Sequence, residues 1–333
     1  MFVFLALFLF SNAEAKEPLA LSNDAWPPYI VEGDEQGTAE SLVCQALERS
    51  GWQCAVKVDD WNNVLIEARD GAIDGIAAAW HDSDRESYLL FSRPYLSNRI
   101  VPVVKTENPV VIKSPGDLAG LRVALVKDYA YGDEIMAMLV NVEVIEAKNS
   151  NEALKHLSNG DADTALLDEL VARNELEGPG MEGMNITDTV LAFRELHFAV
   201  SRQHPQALQI IDDFHRSYEL MLADGTVNEI LNVDWLATDF GQTGDLNLVM
   251  RSGVSLDDLS NPSNDSDVYA LQKSEYQLKR QSDLDSSQVK FRADGESYSS
   301  LQTAMDSVFG KGAACKHKNY TSTLDCTDIF KKR

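Results

Sequence analysis

The chain has 333 residues, of which 44% are hydrophobic and 8% aromatic, enough to bury a core in more than one folding unit. It carries 53 acidic and 29 basic residues, so its net charge at pH 7 is -24. This charge argues against a nucleic-acid-binding protein and against binding to anionic membrane surfaces, because a phosphate-rich partner would repel it.

The first fifteen residues have most features of an export signal. The apolar run Phe2–Phe10 is too short to span a bilayer as a helix, and Ala13-Glu14-Ala15 provides the small-x-small pattern before a cleavage site. Only Met1 precedes the run, so the basic n-region is missing and a retained anchor is the alternative. We expect cleavage after Ala15 and a soluble mature chain, since nothing later approaches the length of a membrane-spanning helix.

The four cysteines form two local pairs, Cys44 with Cys54 and Cys315 with Cys326. In an exported protein, an even number of cysteines at short spacing predicts disulfides, with buried free thiols as the alternative. A zinc site is less favoured, because neither pair has C-x2-C spacing and only His317 lies near a cysteine. We expect no metal and no cofactor.

From Leu19 to Trp235 the sequence alternates predicted strands and helices. In the first run, LALSN, CAVKV and DGIAAA are strands, and AESLVCQALERSG and WNNVLIEARDG are helices, the former with Thr38 as its cap and Gly51 as its stop. In the second run, LRVALV, VEVIEA and DTALLD are strands, and YGDEIMAMLVN, NSNEALKHLSNG and ELVARNEL are helices. The alternation predicts parallel or mixed α/β sheets.

Two extended crossings connect the runs: SNRIVPVVKTENP leads into the second, and TVLAFRELHFAVSR leads out of it towards two further helices. This layout predicts two lobes and a hinge around a cleft. Lobe 1 comprises residues 16–100 and 197–245, and lobe 2 comprises residues 101–196. Residues 246–268 are polar and turn-rich, which predicts a linker, and residues 269–333 form a C-terminal extension of unknown role.

Arg85 lies among three acids just after the buried strand DGIAAA. A planar guanidinium can grip a carboxylate in two places, so Arg85 is a candidate anion-binding residue. The alternative is a surface arginine that pairs with Asp82 and contributes at most about 1 kcal/mol. Asp168 holds the complementary position at the end of the strand DTALLD, where it can receive an ammonium group or cap the helix ELVARNEL.

Aromatic residues follow the first strand in NDAWPPYI, where Asn23 and Trp26 are candidate ligand-binding residues. Trp26 and Tyr29 flank two prolines and provide a platform for an apolar or cationic ligand, or simply pack in the core. In KDYAYGDE, backbone N–H groups at the start of a helix can bind an anion, although Asp128 would repel one. No G-x-S-x-G, H-E-x-x-H or Walker motif is present, so catalysis is poorly indicated.

Several blocks in this order resemble the family 3 solute-binding proteins, the periplasmic receptors of polar amino acid ABC importers. WPPY is followed by DGIAAAWHDSDRESYLLFSRPY for the R…F-S-x-P-Y block, SPGDLAGLRVALV for D-L-x-G-x-x-V-x-V, LSNGDADTALLDE for G-x-x-D-A-x-x-x-D, and LADGTVNEILNVDW for the ending. The resemblance covers Leu19 to Trp235, about two-thirds of the chain. It implies an α/β fold of the type II periplasmic binding protein class, in which two lobes close on a ligand.

The resemblance also implies roles for individual residues. By the family's pattern, Arg85 binds the α-carboxylate of the ligand, Asp168 takes its α-ammonium group, and Trp26 stacks on its side chain. The implied partners are a small amino acid-like ligand and an ABC permease in the inner membrane, and the implied location is the periplasm. We expect no nucleic-acid partner and a monomer.

Departures from the family pattern concern the same cleft. Trp80 and Asp82 stand where relatives usually carry small hydroxyl residues, and Asp128, Tyr129 and Ala130 replace the usual glycine and hydroxyl pair. Fewer hydroxyl donors remain for a carboxylate, so either backbone amides do more of the work or the ligand is not a standard α-amino acid. The added acids and rings favour a cationic or aromatic ligand.

We therefore expect a receptor for an amino acid or similar small zwitterion, not an enzyme, which delivers its ligand to an ABC importer by cleft closure. One alternative is a dehydratase-like enzyme on the same fold, with Asp82, Asp128 or His81 as acid or base. The other is a sensory or adaptor protein whose C-terminal extension docks a partner, since ordinary importer receptors of this family end near the position of Trp235.

Overall fold

The computed structural model describes residues 18–107, 109–239, 246–255, 259, 268–271, 289–299, 301–309 and 311. The expected signal peptide with its cleavage after Ala15, and the predicted pair of Cys315 with Cys326, lie outside these residues. Within the described ranges, no helix combines the length and the apolar character needed to cross a membrane.

Ten of the described strands form one mixed sheet that runs through both lobes. The strands are β1 (Leu19–Asn23), β2 (Cys54–Val58), β3 (Gly75–Trp80), β4 (Leu89–Phe91), β5 (Leu96–Lys105), β6 (Arg122–Val126), β7 (Glu143–Ala147), β8 (Thr164–Asp168), β9 (Met184–Ile186) and β10 (Ala192–Ser201). Their spatial order is β2-β1-β3-β10-β5-β8-β6-β7, with β4 beside β10 and β9 beside β5. Parallel strands form each end, and the antiparallel pair β5 and β10 joins them. The two predicted crossings are these two central strands.

Eight α-helices lie in the described part of the chain: α1 (Thr38–Arg49), α2 (Trp61–Asp70), α3 (Asp133–Met138), α4 (Ser150–Asn159), α5 (Glu169–Leu176), α6 (Ala207–Asp224), α7 (Thr226–Ile230) and α8 (Leu301–Phe309). The start of α1 differs from the expectation. Gly37 occupies its N-cap position and Thr38 is the first helical residue. A Cβ on Gly37 would lie 2.1 Å from the carbonyl oxygen of Tyr29, so only glycine fits there.

A disulfide cross-links two elements of lobe 1, and the main apolar core extends from lobe 1 into the two crossing strands. The bond between Cys44 and Cys54 links α1 to β2 and confirms the first predicted pair. The largest apolar cluster contains residues of α1 and β1 together with fully buried residues of both crossing strands, among them Ile100 and Phe198. Apolar burial on the crossing strands holds the two lobes in one continuous sheet.

The segment from Trp235 onwards forms a second, smaller sheet. Its order is β13-β11-β12-β14-β15, with β11 (Trp235–Thr238), β12 (Leu246–Met250), β13 (Val268–Ala270), β14 (Val289–Ala293) and β15 (Glu296–Tyr298). The expected linker over 246–268 therefore begins as a strand. The reason is burial on both faces: three residues of β12 join the C-terminal apolar cluster, and Val249 joins the main core.

Tyr269 of β13 connects the C-terminal sheet to the hinge. Its ring packs against the main core, and the guanidinium carbon of Arg99 on β5 lies 5.9 Å from the ring centroid. Leu271 is buried in the same core. The C-terminal extension thus contacts one of the two crossing strands directly.

Candidate functional site

Aromatic rings from both lobes fill the cleft between them. Trp26, Trp61 and Trp80 come from lobe 1, and Tyr129 comes from lobe 2. The centroid of the Tyr129 ring lies 5.4 Å from that of Trp80, 5.9 Å from that of Trp26 and 6.1 Å from that of Trp61, edge-on in each case. Edge-to-face pairs of this kind are attractive beyond the area they bury. Lobe 2 therefore contacts the aromatic wall of lobe 1 directly, through Tyr129.

Arg85 extends from the turn after β3 into this cleft and is only 7% exposed. Its Nη1 donates to the carbonyl of Trp80 at 3.3 Å, and its Nη2 donates to the carbonyl of Asp128 at 2.7 Å. The guanidinium carbon lies 5.2 Å from the centroid of the Trp61 ring. Within the described residues Arg85 forms no ion pair, so the alternative of a surface pair with Asp82 is not what the structure has. Burial lowers the pKa of Arg85.

Asp128 contributes its carbonyl group to this arrangement. Its backbone has φ of 60°, in the left-handed region that aspartate tolerates better than most residues. The same carbonyl that accepts from Arg85 also accepts from Nε1 of Trp61 at 3.4 Å. The residue thus joins lobe 2 to two side chains of lobe 1 through its backbone, while its own side chain is exposed.

Asp24 is a buried carboxylate at the end of β1. Its Oδ2 accepts from the hydroxyl of Tyr129 at 2.7 Å, and its Oδ1 accepts from Nδ2 of Asn23 at 3.3 Å. Burial raises the pKa of Asp24 to about 6. Asn23 is itself fully buried and bonds both backbone groups of Ala78, at 2.7 and 3.0 Å. Asn23 therefore orients Asp24 and ties β1 to β3 instead of facing a cavity.

Asp168 lies at the start of α5, and its carboxylate is occupied by protein donors. It accepts from the hydroxyl of Tyr29 at 3.0 Å, and from the backbone N–H groups of Leu170 at 3.0 Å, Val171 at 3.1 Å and Arg99 at 3.2 Å. The helix-cap role considered from the sequence is present. The side chain is 3% exposed, and burial raises its pKa to about 6. An ammonium group would have to displace these donors, so the structure gives Asp168 different partners from those that the resemblance implied.

A chain of buried hydrogen bonds leads from the aromatic wall to Asp168. Nε1 of Trp80 donates to Oδ1 of Asn98 at 2.7 Å, and Nδ2 of Asn98 donates to the hydroxyl oxygen of Tyr29 at 2.7 Å. Tyr29 in turn donates to Asp168. Because Asn98 lies on β5, this chain passes from lobe 1 through a crossing strand into lobe 2.

An inner cavity of about 20 Å³ lies among these aromatic residues. It holds about one water molecule and is too small for any amino acid. The side chains that define it are Asp24, Trp26, Trp61, Trp80, Arg85 and Tyr129. A cation and a carboxylate therefore face the same aromatic-walled space.

A second, outer cavity of about 420 Å³ lies on the other side of Tyr129 and Ala130, which line both spaces. Asp82, His81 and Arg194 are among its lining residues. No group of three or more His, Cys, Asp or Glu side chains suited to hold a metal ion occurs in the part of the chain that the structure describes.

The structure brings most of the predicted site residues together. Those that line the inner cavity are Trp26, Trp80, Arg85, Tyr129 and Ala130. Asp82 lines the outer cavity, whereas Asn23, Asp128 and Asp168 line neither of the two. Sequence reasoning missed Asp24, Trp61 and Arg194. The first two follow the ends of β1 and β2, so applying the strand-end rule to every parallel strand of lobe 1 would have found them.

Comparisons with known proteins agree with this architecture. The sequence pattern of the bacterial extracellular solute-binding proteins, family 3, matches residues 20–237. The virulence sensor protein BvgS of Bordetella pertussis is 31% identical over 157 residues, which are 46% of this chain and 13% of that protein. The L-cystine-binding protein TcyJ of Escherichia coli is 23% identical over 218 residues, covering 64% of this chain and 80% of that protein. The chain thus spans a small part of the sensor's length and most of the length of the binding protein.

A solved structure shows the same fold. An ancestral arginine-binding protein bound to arginine superposes with a TM-score of 0.57 at 23% identity, covering 66% of this chain and 98% of that one. The family match extends over more than half of the chain and coincides with the two-lobed unit described above. The chain belongs to the bacterial extracellular solute-binding proteins, family 3, and has the type II periplasmic binding protein fold.

Proposed function

We propose that this chain is an exported, monomeric receptor for an amino acid or similar small zwitterion, which it delivers to an ABC importer. The observation that carries the proposal is the state of Arg85. Its guanidinium is buried at a cavity, is held by two backbone carbonyls and forms no ion pair within the described residues. Buried charges in proteins are normally paired, so an arginine placed in this way is suited to an anion that arrives from solution.

The inner cavity also offers a partner for the positive end of a zwitterion. Asp24 lines the same cavity and accepts hydrogen bonds from Tyr129 and Asn23. We assign the ammonium contact to Asp24 instead of Asp168, because the four protein donors on Asp168 leave it enclosed. In this arrangement Arg85 takes the carboxylate and Trp26 and Trp80 flank the side chain.

Ligand entry requires the cleft to open, because the closed inner cavity has room for about one water molecule. Opening about β5 and β10 withdraws Tyr129 from the tryptophans and frees the space that its ring occupies. A ligand then replaces Tyr129 against the wall, and closure over the ligand presents a defined two-lobe surface to a permease. The family's extracellular character supports export, and the relatives support binding over catalysis.

The names of the relatives indicate which ligands to test first. TcyJ is an L-cystine-binding protein, and the ancestral protein was solved with arginine bound. A thermal-shift screen of the chain beginning at Lys16 should therefore cover the amino acids with cystine and arginine first, then polyamines and betaines. A compound at a hundred times its Kd adds about 2.7 kcal/mol to the stability of the folded state.

The decisive comparison is between Arg85→Ala and a matched arginine variant outside the cleft. Arg93 pairs with Glu219 on an exposed surface, at 2.8 Å, so Arg93→Ala serves as the control. We expect hits with wild type and Arg93→Ala and none with Arg85→Ala. Absence of any stabilising zwitterion with the wild-type protein overturns the proposal.

A sensory or adaptor role is the second candidate, because four of the five strands of the C-terminal sheet, β12 to β15, lie beyond the family match and the sheet packs onto the crossing strand β5 through Tyr269. The 31% identity to a virulence sensor protein over 157 residues also supports a sensory role. Uptake measurements separate the two roles. If cells without the chain take up the identified compound as fast as cells with it, the receptor does not serve import and the sensory role is favoured.

A further inference from the structure

The outer cavity is large enough for part of a ligand, in contrast to the inner one. Its volume of about 420 Å³ lies within the range of small-molecule sites. Tyr129 and Ala130 form the wall that it shares with the inner cavity. A molecule held by Arg85 therefore reaches the outer cavity by extending past these two residues.

Arg194, on β10, is the cation of this outer cavity. Its Nη2 donates to the carbonyl of His81 at 3.0 Å, whereas its buried Nε has no hydrogen-bond partner. Burial lowers the pKa of Arg194, and the nearby carboxylates of Glu195, Asp82 and Asp133 oppose this shift, but among the described residues Arg194 forms no ion pair. Like Arg85, Arg194 donates to a backbone carbonyl and to no carboxylate of the described residues, although it is only partly buried.

Gly132 shows that the fold leaves space for the guanidinium. A Cβ at this position would lie 2.4 Å from Nη1 of Arg194, and φ of 89° also favours glycine. Arg194 therefore lies directly against the backbone of lobe 2 while it is bonded to His81 of lobe 1. It touches both lobes at the hinge, where a ligand that spans the cleft would end.

We propose that Arg194 and the outer cavity form a second anion-binding subsite, and that the ligand carries a carboxylate at each end. Arg85 binds one carboxylate in the inner cavity and Arg194 binds the other. Asp82 and Asp133 on the rim accept an ammonium group beside the second carboxylate. This inference rests on the proposed function and adds the substrate class: dicarboxylic amino acids.

Pairs of probes that differ by one carboxylate test the proposal by isothermal titration calorimetry. The pairs are L-glutamate with L-glutamine, meso-diaminopimelate with L-lysine, and L-cystine with the cysteine–cysteamine mixed disulfide. We expect at least one dicarboxylate to bind about 10- to 100-fold more tightly than its partner, as befits an additional charge-assisted contact. Arg194→Gln should remove this difference and leave the monocarboxylate affinity within about twofold, whereas Arg93→Gln should change neither.

Three outcomes overturn the inference while leaving the proposed function intact. In the first, the monocarboxylates bind as tightly as the dicarboxylates. In the second, Arg194→Gln leaves the affinity difference within each pair unchanged. In the third, Arg194→Gln weakens the binding of both members of a pair equally, which indicates a structural role for Arg194. If Arg194→Gln does not fold, Arg194→Lys keeps the charge without the planar fork and should retain part of the difference. Failure of every amino acid to bind the wild-type chain instead overturns the proposed function itself.

Discussion

The hydroxyl of Tyr129 in lobe 2 donates to the buried carboxylate of Asp24 in lobe 1, at 2.7 Å. The reverse arrangement occurs nearby, where Tyr29 of lobe 1 donates to Asp168 of lobe 2 at 3.0 Å. Two reciprocal phenol–carboxylate bonds thus cross the cleft. Both carboxylates are buried, and burial raises the pKa of each to about 6.

Removing one of these hydroxyls should loosen the closed state. Tyr129→Phe keeps the ring against the tryptophans and deletes the donor to Asp24, which leaves a buried carboxylate with fewer partners. We expect the free energy of unfolding at pH 7 to fall by about 1 to 3 kcal/mol. Urea denaturation measures this loss, and small-angle scattering should show a larger radius of gyration.

Tyr88→Phe is the matched control for that experiment. Tyr88 is also buried, but its ring packs beneath the guanidinium of Arg69 at 5.1 Å, a contact that phenylalanine retains. The free energy of unfolding of Tyr88→Phe should differ from that of the wild-type protein by less than about 0.5 kcal/mol. Equal losses in both variants would contradict the assignment of a specific role to the Tyr129 hydroxyl.

The two buried carboxyls should make stability depend on pH in a defined direction. Burial raises the pKa of Asp24 and of Asp168 from 3.8 to about 6, so the folded state holds these protons to higher pH than the unfolded chain. Their contribution is complete below about pH 4 and is lost as the pH rises through 6, by about 3 kcal/mol for each group. His197 and His215, whose pKa values are lowered to about 4, oppose this trend because they favour the neutral form.

Asp24→Asn isolates one of these contributions. The amide still accepts from Tyr129 but cannot ionise, so the variant should gain stability relative to wild type as the pH rises from 4 to 7. Denaturant titrations at several pH values give this difference. A constant difference across the range would show that Asp24 does not titrate near pH 6 in the folded protein.

The disulfide between Cys44 and Cys54 should stabilise the folded state, because it restricts the conformations of the unfolded chain. Cys44 and Cys54 are ten positions apart, and closing a loop of that length stabilises the folded state by about 2 to 3 kcal/mol. The double variant Cys44→Ala, Cys54→Ala should unfold correspondingly earlier in urea while its circular dichroism at low denaturant stays unchanged. Thiol titration of the unfolded single variants confirms that the bond forms, since each releases one additional thiol.

Tyr269 should couple the C-terminal sheet to the body of the protein. Tyr269→Ala removes a ring that packs against the main core and over Arg99, and we expect a loss of about 3 kcal/mol. Tyr298→Ala, at the far strand of the same sheet, is the control and should cost less because, among the described residues, its ring packs against the C-terminal cluster and not against the main core. A similar loss of stability in both variants would show that the contact between Tyr269 and the main core does not couple the C-terminal sheet to the rest of the protein.

Much of the fold could be predicted because its elements are defined by local patterns. Alternation and turn residues located eight of the ten strands of the large sheet and missed the short strands β4 and β9. The glycines that close WNNVLIEARDG and NSNEALKHLSNG marked the ends of α2 and α4, where Gly71 and Gly160 are the C-cap residues. The start of α1 could not be predicted, because the contact between Gly37 and the Tyr29 carbonyl depends on tertiary packing. The strand β12 was missed for the same reason, since its pairing with β14 joins segments about forty residues apart.

Site residues could be predicted where a single segment of the sequence marks their position, and could not where the site depends on contacts between distant segments. Arg85 follows a buried strand, a position that marks a cleft before any partner is known. The hydrogen bond between Tyr129 and Asp24 joins residues 105 positions apart, and the sequence of neither segment predicts it. Arg194 sits in an extended crossing where alternate residues face opposite sides, so only the closed arrangement reveals its cavity.

The one-water volume of the inner cavity has a kinetic meaning. In the opening that we propose, ligand binds only while Tyr129 is withdrawn from the tryptophans, so the measured Kd should exceed the intrinsic one by the inverse of the open fraction. At high ligand concentration the observed association rate should then reach a ceiling set by the opening rate of the lobes. Under this proposal Tyr129 competes with the ligand for the same wall, and a variant with weaker Tyr129 contacts should bind ligand faster but be less stable without it.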